Sequence, residues 1–265
     1  MTETLLAVAT LAVGLLFIGG TFMTGVYFST ISTERTIGSV AADEAVAKVK
    51  LYGVDPNEID PKGLYALDPN AGDPAFIPYV PFDWLKGPTG IPSAEYLYPS
   101  TGETSTGQYS WAAICRRMPG GAHLVQVTVF VSRASGAHLQ YRVRKRGVDW
   151  PSLDSSDLPR PVRVTVVQNT GSPTNEIQIV DNLAADGVDE RAFINDGASI
   201  VDDATGQIYR VLKRSPTQQD RITLDRAWKG GPITPSARGG VWVVPPPIAG
   251  GRDPLVAIYQ QVLRF

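Results

Sequence analysis

The first 53 residues divide into an apolar segment and an amphipathic segment. From Leu5 to Phe28 the chain carries no charge; Glu3 is the only charged residue before it, and Glu34 and Arg35 are the next. A helix of about 20 apolar residues is long enough to cross the hydrocarbon core of a bilayer. The pattern therefore predicts a helix that can span a membrane and that carries a single carboxylate near its tip.

An amphipathic pattern continues this helix into water. Apolar residues recur at four-residue spacing, with two more beside them: Ile37, Ala41, Ala45 and Val49, then Val40 and Val46. Glu44 and Lys48 have the i,i+4 spacing that favours an ion pair on a helix. Gly53 and Pro56 predict where the helix ends, because glycine suits the position after a helix and proline cannot continue one. We expect one long helix whose second half rests on a globular domain.

Four glycines lie within the apolar segment, namely Gly14, Gly19, Gly20 and Gly25. Each weakens a helix by ~1 kcal/mol relative to alanine. Two interpretations stay open. Small residues permit close packing between helices in a membrane or bundle, and the pair Gly19 and Gly20 could instead mark a point of local melting.

Three stretches after the helix alternate in the manner of antiparallel strands: Tyr109–Arg117, Leu124–Arg133 and His138–Arg146. In the second stretch, four valines share one face: Val125, Val127, Val129 and Val131. Gly- and Pro-containing turns between the stretches predict a meander. We interpret the basic residues at 116–117 and 142–146 as the solvated face of edge strands.

The region before these strands, residues 54–107, contains many prolines interleaved with aromatic residues. A disordered linker would be poor in aromatic residues. We therefore expect an ordered loop region that packs on the domain.

The remaining chain predicts a second, all-β unit. Residues 147–160 have the composition of a linker. Candidate strands follow at Val162–Gln168, Glu176–Val180, Ser199–Asp202, Gln207–Arg214, Arg221–Asp225, Val241–Val244 and Leu255–Leu263. Short strands separated by turn residues indicate a small barrel or sandwich, with a core supplied by Ile208, Val211, Leu212, Ile222 and Leu224. The expected organisation is an α+β chain: helix 1–53, an antiparallel sheet domain 54–150, and an all-β domain 151–265.

Composition and charge reduce the number of function classes that fit this chain. With 24 basic and 26 acidic residues the net charge is −2, which argues against a nucleic-acid-binding surface. One cysteine, Cys115, excludes an intrachain disulfide. The two histidines, His123 and His138, are interpreted as surface or turn residues, because nothing places either one beside a nucleophile. We therefore expect no catalytic residues and no cofactor.

Acidic residues and one asparagine also cluster in the loops of the all-β unit: Asp181, Asp186, Asp189, Glu190, Asn195, Asp196, Asp202 and Asp203. Calcium prefers such oxygen-rich loops, but the spacing matches no EF-hand. Solvated loops without a metal are the favoured interpretation, with a calcium site as the alternative.

The stretch 3–13, ETLLAVATLAV, resembles the N-terminus of the type IV pilins and the type II secretion pseudopilins. The order of elements, helix, loop region and antiparallel strands, is also similar to that family. The resemblance implies a filament subunit whose helices pack in a central bundle. Glu3 would correspond to the family glutamate that neutralises the N-terminal amine, here that of Met1, on a neighbouring subunit. It stands two residues earlier than in the family. Several pili of this family lose helical order near the position of Gly19 and Gly20 on assembly.

These features predict a structural subunit of a pilus-like filament or pseudopilus, with no enzymatic activity. Its partners would be copies of itself and the assembly machinery. It would lie in the inner membrane before assembly and in an extracellular filament afterwards. The alternative is a single-pass membrane-anchored surface protein whose C-terminal β-domain binds a glycan or a protein.

Overall fold

A computed structural model describes residues 2–57, 59, 66–67, 74–75, 79–86, 90–100, 108–118, 123–133, 139–144, 153–168, 171, 173–180, 188–230, 239–251 and 253–265. In chain order the elements are α1 (Thr2–Tyr52), β1 (Ala66–Leu67), β2 (Pro74–Ala75), β3 (Val80–Pro81), β4 (Leu97–Tyr98), β5 (Tyr109–Arg117), β6 (Leu124–Arg133), β7 (Tyr141–Arg144), β8 (Leu153–Ser156), β9 (Val162–Val167), β10 (Glu176–Ile179), β11 (Ser199–Asp202), β12 (Ile208–Arg214), β13 (Arg221–Leu224), β14 (Gly239–Val243) and β15 (Leu255–Arg264), with 3₁₀ turns at Phe82–Lys86, Ser93–Tyr96 and Glu190–Phe193. The predicted α+β class is confirmed.

Helix α1 runs unbroken for 51 residues, as the two-part pattern predicts. It ends at Gly53, whose φ of +70° suits glycine and whose N–H donates to the carbonyl of Val49 at 3.0 Å. The face that packs on the sheet consists of small residues: Gly38, Ala41, Ala42, Ala45 and Val49. These small side chains let the helix backbone lie close to the strands. The predicted pair between Glu44 and Lys48 is present at 3.1 Å.

The sheet beneath α1 has the strand order β15-β6-β5-β3, and β4 pairs with β5 along the same edge as β3. The four alternating valines of β6 are fully buried on the side that faces α1. Trp111 and Cys115 of β5 lie on that side too. The four valines of β6 share one face, as the period-two pattern predicted, and the structure shows that this face contacts α1.

Leu255–Leu263 was expected in the second all-β unit, and that assignment is wrong. The strand β15 pairs with β6 along its whole length, from Leu255 opposite Ser132 to Arg264 opposite Leu124. The three-strand meander was also wrong in its last member, because β7 leaves the sheet to pair with β8. The position beside β6 is occupied by β15 instead.

The second unit is a closed six-stranded barrel with the order β10-β13-β12-β11-β14-β9, which confirms the predicted barrel or sandwich. Its interior is filled by buried apolar side chains, mostly valine and isoleucine. Val211, Ile222 and Leu224 belong to this core as expected, whereas Leu212 is 55% exposed. The register of β12 against β13 shifts between Val211 and Lys213. Leu212 follows the inward-facing Val211, and successive side chains of a strand point to opposite faces, so Leu212 points outward.

The barrel packs on the side of the sheet opposite to α1. An apolar cluster joins the two units: Tyr79, Ile114, Phe130, Val201, Trp242 and Val244. Arg116 lies at this junction and donates to the carbonyl of Ala204 at 2.6 Å and to Gln126 Oε1 at 2.7 Å. Its interpretation as a solvated edge-strand residue is therefore wrong, because β5 is an interior strand whose outer face is covered by the barrel.

Residues 54–107 are described in part. Within the described residues, Tyr79, Phe82 and Tyr96 are buried, which agrees with an ordered region packed on the domain. The ring of Tyr96 lies 4.9 Å from that of Trp111, centroid to centroid.

Candidate functional site

The apolar half of α1 projects from the body of the molecule and contacts nothing else among the described residues. Its large apolar side chains between Leu5 and Phe28 are 51–78% exposed. By length and composition the helix could cross a membrane. Exposing this much contiguous apolar surface to water is unfavourable, so the segment requires a bilayer or a protein partner.

Six threonine hydroxyl groups between Thr10 and Thr36, in the apolar segment and just after it, are satisfied within the helix. Threonine side chains donate to the carbonyl four residues earlier at 2.9–3.1 Å: Thr10, Thr21, Thr24, Thr30, Thr33 and Thr36. A polar group without a hydrogen bond is costly in an apolar environment. The threonines therefore allow the helix to enter lipid or an apolar bundle without leaving hydroxyl donors unpaired.

The predicted assembly residues all lie on this projecting segment. Glu3 is exposed and forms no ion pair within the described part of the chain, whereas Met1 falls outside it. A Cβ added at any of the four glycines, Gly14, Gly19, Gly20 or Gly25, would meet nothing within 4 Å. The helix is continuous through Gly19 and Gly20 in the single chain. Both interpretations of the glycines, close packing and melting on assembly, refer to the assembled state and stay open.

Neither a comparison with protein-family models nor one with curated proteins finds a match to this sequence.

The second half of α1, from Glu34 to Tyr52, is the water-side half. Its inward-facing charged side chains bind it to the head, by which we mean the sheet and the barrel together. Glu34 pairs with Arg133 at the end of β6. Lys48 bridges Glu44 and Glu95 at 3.1 and 3.0 Å, and its amine also donates to the Glu95 carbonyl at 2.7 Å. These ion pairs join the second half of α1 to the sheet and to the 3₁₀ turn that carries Glu95, and the apolar half of the helix extends beyond them.

Three other charges of the same half face outward: Arg35, Asp43 and Lys50. They form no ion pair with any residue that the structure describes. Their alternating signs and their spacing of eight and seven residues were visible in the sequence. Only the structure separates them from the inward-facing charges, and sequence reasoning did not single them out.

Among the described residues, no three His, Cys, Asp or Glu side chains lie together in a way that could hold a metal ion. Asp181 and Asp186 lie outside those residues. Asp202 and Asp203 were expected in a solvated loop, but both are buried. Asp203 accepts from Arg163 Nε at 2.7 Å and from Trp242 Nε1 at 2.9 Å.

Two further acidic residues of these loops also make internal bonds. Glu190 is buried and pairs with Arg144 of β7, so it is not solvated either. Asp196 accepts from the N–H of Arg214 at 2.7 Å. Asp203 and Asp196 thus bond within the barrel, and Glu190 joins it to β7.

The described residues that were considered for catalysis, His123 and Cys115, lie in a turn and in the core. His123 is an exposed turn residue, as expected, and His138 is outside the described residues. Cys115 is fully buried in β5, and its burial raises the pKa of the thiol to about 12. A buried thiol with a raised pKa is a poor nucleophile, because the reactive form is the thiolate.

We expect Cys115 in the native full-length chain to resist alkylation by iodoacetamide at pH 8, and to react with one equivalent after unfolding. Burial excludes the reagent, and the raised pKa keeps the sulfur protonated at that pH. Mass spectrometry of intact protein checks both states. An Asp157→Cys variant, with its new thiol at an exposed head position, supplies the positive control. Native labelling of Cys115 at the rate of that exposed thiol would contradict the prediction.

Proposed function

We propose that this protein is a structural subunit of an extracellular filament of the type IV pilus or pseudopilus kind, and that it polymerises through α1. The observation that supports this most strongly is the projecting apolar half-helix with one carboxylate near its tip. A simple anchor needs the apolar segment but has no use for Glu3, because a charge at the edge of the hydrocarbon core is costly unless it is solvated or paired.

In the proposed cycle, α1 first lies in the inner membrane and then transfers into a bundle of identical helices. Apolar burial is retained in the transfer, since lipid contacts are replaced by protein contacts. The self-bonded threonines suit both environments. Glu3 then pairs with the N-terminal amine of a neighbouring subunit and penalises registers in which the two charges do not meet.

The head would form the outer shell of such a filament. The barrel lies on the side of the sheet opposite to α1, so a bundle built from α1 would leave the barrel directed outward. Its core is packed with apolar side chains. The barrel surface would therefore be the part of the subunit that meets the environment.

Electron microscopy of sheared cell-surface material tests the proposal, with the wild-type chain and a Glu3→Val variant produced in the same cells. We expect wild-type filaments and a loss of at least about tenfold in filament yield for Glu3→Val, because ~1.4 kcal/mol corresponds to a factor of ten and an unpaired buried charge costs ~3–5 kcal/mol. Asp157→Ala, which removes an exposed carboxylate from the head, should leave the yield unchanged.

Two results would contradict the proposal in different ways. Wild-type protein that stays in the membrane without forming filaments would favour the single-pass anchor with a ligand-binding barrel. Filaments of normal yield from Glu3→Val would retain the filament and reject the role of Glu3.

A further inference from the structure

The edge of the sheet beside β5 has a gap between two short strands. The pairing of β3 with β5 stops at Ile114, and the pairing of β4 with β5 begins at Ser110. Residues 111–113 of β5 therefore have no strand partner on this edge among the described residues. A small cavity lies at the gap, and both Ala112 and Ala113 line it.

The backbone groups of Ala113 are directed toward this gap. Met118 donates its N–H to the carbonyl of Leu124, across β5 and β6, and the register of the two strands is regular from there to the far end of β5. In an antiparallel pair, every second residue bonds to the neighbouring strand. The even-numbered residues of β5 therefore bond to β6, and the N–H and C=O of Trp111 and Ala113 point to the opposite edge.

The buried hydroxyl group of Tyr96 belongs to the same cavity wall. Tyr96 is 4% exposed and lines the cavity. Its hydroxyl oxygen is inaccessible to solvent and bonds to no atom of the residues that the structure describes. A buried hydroxyl group without a hydrogen bond is costly, so such groups normally bond to protein or to an ordered water.

The size and the charge of the cavity restrict what could bind there. Of the charged side chains on its described wall, Asp83 pairs with Arg160, and Arg144 pairs with the buried Glu190. Each guanidinium is matched by a carboxylate, so the wall has no excess charge to attract an ion. The centres of water-sized molecules can occupy about 20 Å³ of the cavity, and one water needs ~10–15 Å³ by this measure. The cavity therefore suits a single neutral molecule of the size of water.

We propose that one buried water molecule occupies this cavity and bridges the hydroxyl group of Tyr96 to the backbone of Ala113. Buried waters typically make two to four hydrogen bonds, and Asp83 and Arg160 on the same wall offer a further acceptor and donor. The water takes the place of a strand at the gap between β3 and β4. Trp242 of β14 also lines the cavity, so the water lies where the sheet edge meets the barrel.

Tyr96→Phe tests the bridge by the sign of its effect on stability. If the hydroxyl group bonds to a water, its removal loses a hydrogen bond, and we expect the thermal midpoint of the full-length chain in detergent micelles to fall by about 2–4 °C. If the hydroxyl group has no partner, its removal relieves a penalty, and the midpoint rises. Tyr52→Phe removes a hydroxyl group from a tyrosine that is 38% exposed and should leave the midpoint unchanged.

A crystal structure of the full-length chain locates the water directly. We expect density for a single water about 2.7–3.2 Å from Tyr96 Oη and from the backbone nitrogen or oxygen of Ala113. A cavity without this density would overturn the proposal. A midpoint for Tyr96→Phe that equals or exceeds that of the wild-type chain would overturn it as well. Neither measurement depends on filament formation.

Discussion

Asp203→Ala is expected to lower the free energy of unfolding by about 3–5 kcal/mol, the range for a buried ion pair that loses one partner. Asp203 and Arg163 are both almost fully buried, and the carboxylate also accepts from Trp242 Nε1. Its removal leaves a guanidinium and an indole N–H without acceptors between the barrel and the sheet. Because the free energy of unfolding of a domain is typically only ~5–15 kcal/mol, this single substitution removes a large part of the stability.

Thermal unfolding of the full-length chain in detergent micelles, followed by tryptophan fluorescence, checks this prediction. We expect the midpoint to fall by roughly 10 °C, at about 2–4 °C per kcal/mol for a chain of this size. Asp225→Ala is the matched control: Asp225 is exposed and accepts one backbone hydrogen bond, from Arg210 at 3.0 Å. Equal midpoints for the two variants would show that the pair between Asp203 and Arg163 adds no stability.

Gly206→Val is expected to destabilise the protein by about 2–5 kcal/mol, because it combines a left-handed backbone with overpacking. Gly206 has a φ of +74°, and a Cβ there would overlap the hydroxyl of Tyr79 and lie 3.0 Å from Gln126 Nε2. Its carbonyl also accepts from Gln260 Nε2 at 2.7 Å. The side chains of Tyr79 and Gln126 must therefore shift when this turn gains a side chain.

Gly197→Val separates the two contributions. Gly197 is in the same barrel and has a φ of +83°, but nothing lies within 4 Å of an added Cβ. The same thermal measurement should give only the backbone cost, ~1–2 kcal/mol. A Gly206→Val variant no less stable than Gly197→Val would show that the close approach of the barrel to Tyr79 does not constrain the molecule.

Local patterns in the sequence predicted the elements well. The bounds of β5 and β6 match the alternating stretches, and α1 ends where Gly53 indicated. The period of apolar residues reports which face of a strand is buried, and the valines of β6 illustrate this. It does not report which strand lies alongside, so the pairing of β15 with β6 was missed.

The burial and the partners of charged residues were predicted least well. Arg116, Asp203 and Glu190 all look like surface residues in the sequence, because charged side chains are rarely buried without a partner. Each has at least one partner more than 35 residues away along the chain, as with Arg116 and Ala204, or Arg144 and Glu190. Contacts between such distant residues depend on the relative position of the barrel and the sheet, which no local pattern encodes.

The insertion of the barrel between β6 and β15 has a consequence for biosynthesis. A ribosome makes β6 long before β15, and the whole barrel is made in the interval. During that time β6 has one edge open, with backbone donors and acceptors that any extended polypeptide could satisfy. The barrel draws all its strands from 162–243 and can close first. Once the barrel has closed, the nascent chain carries it beside an unfinished sheet, and the arrival of β15 pairs the open edge of β6 and makes β15 the new edge strand.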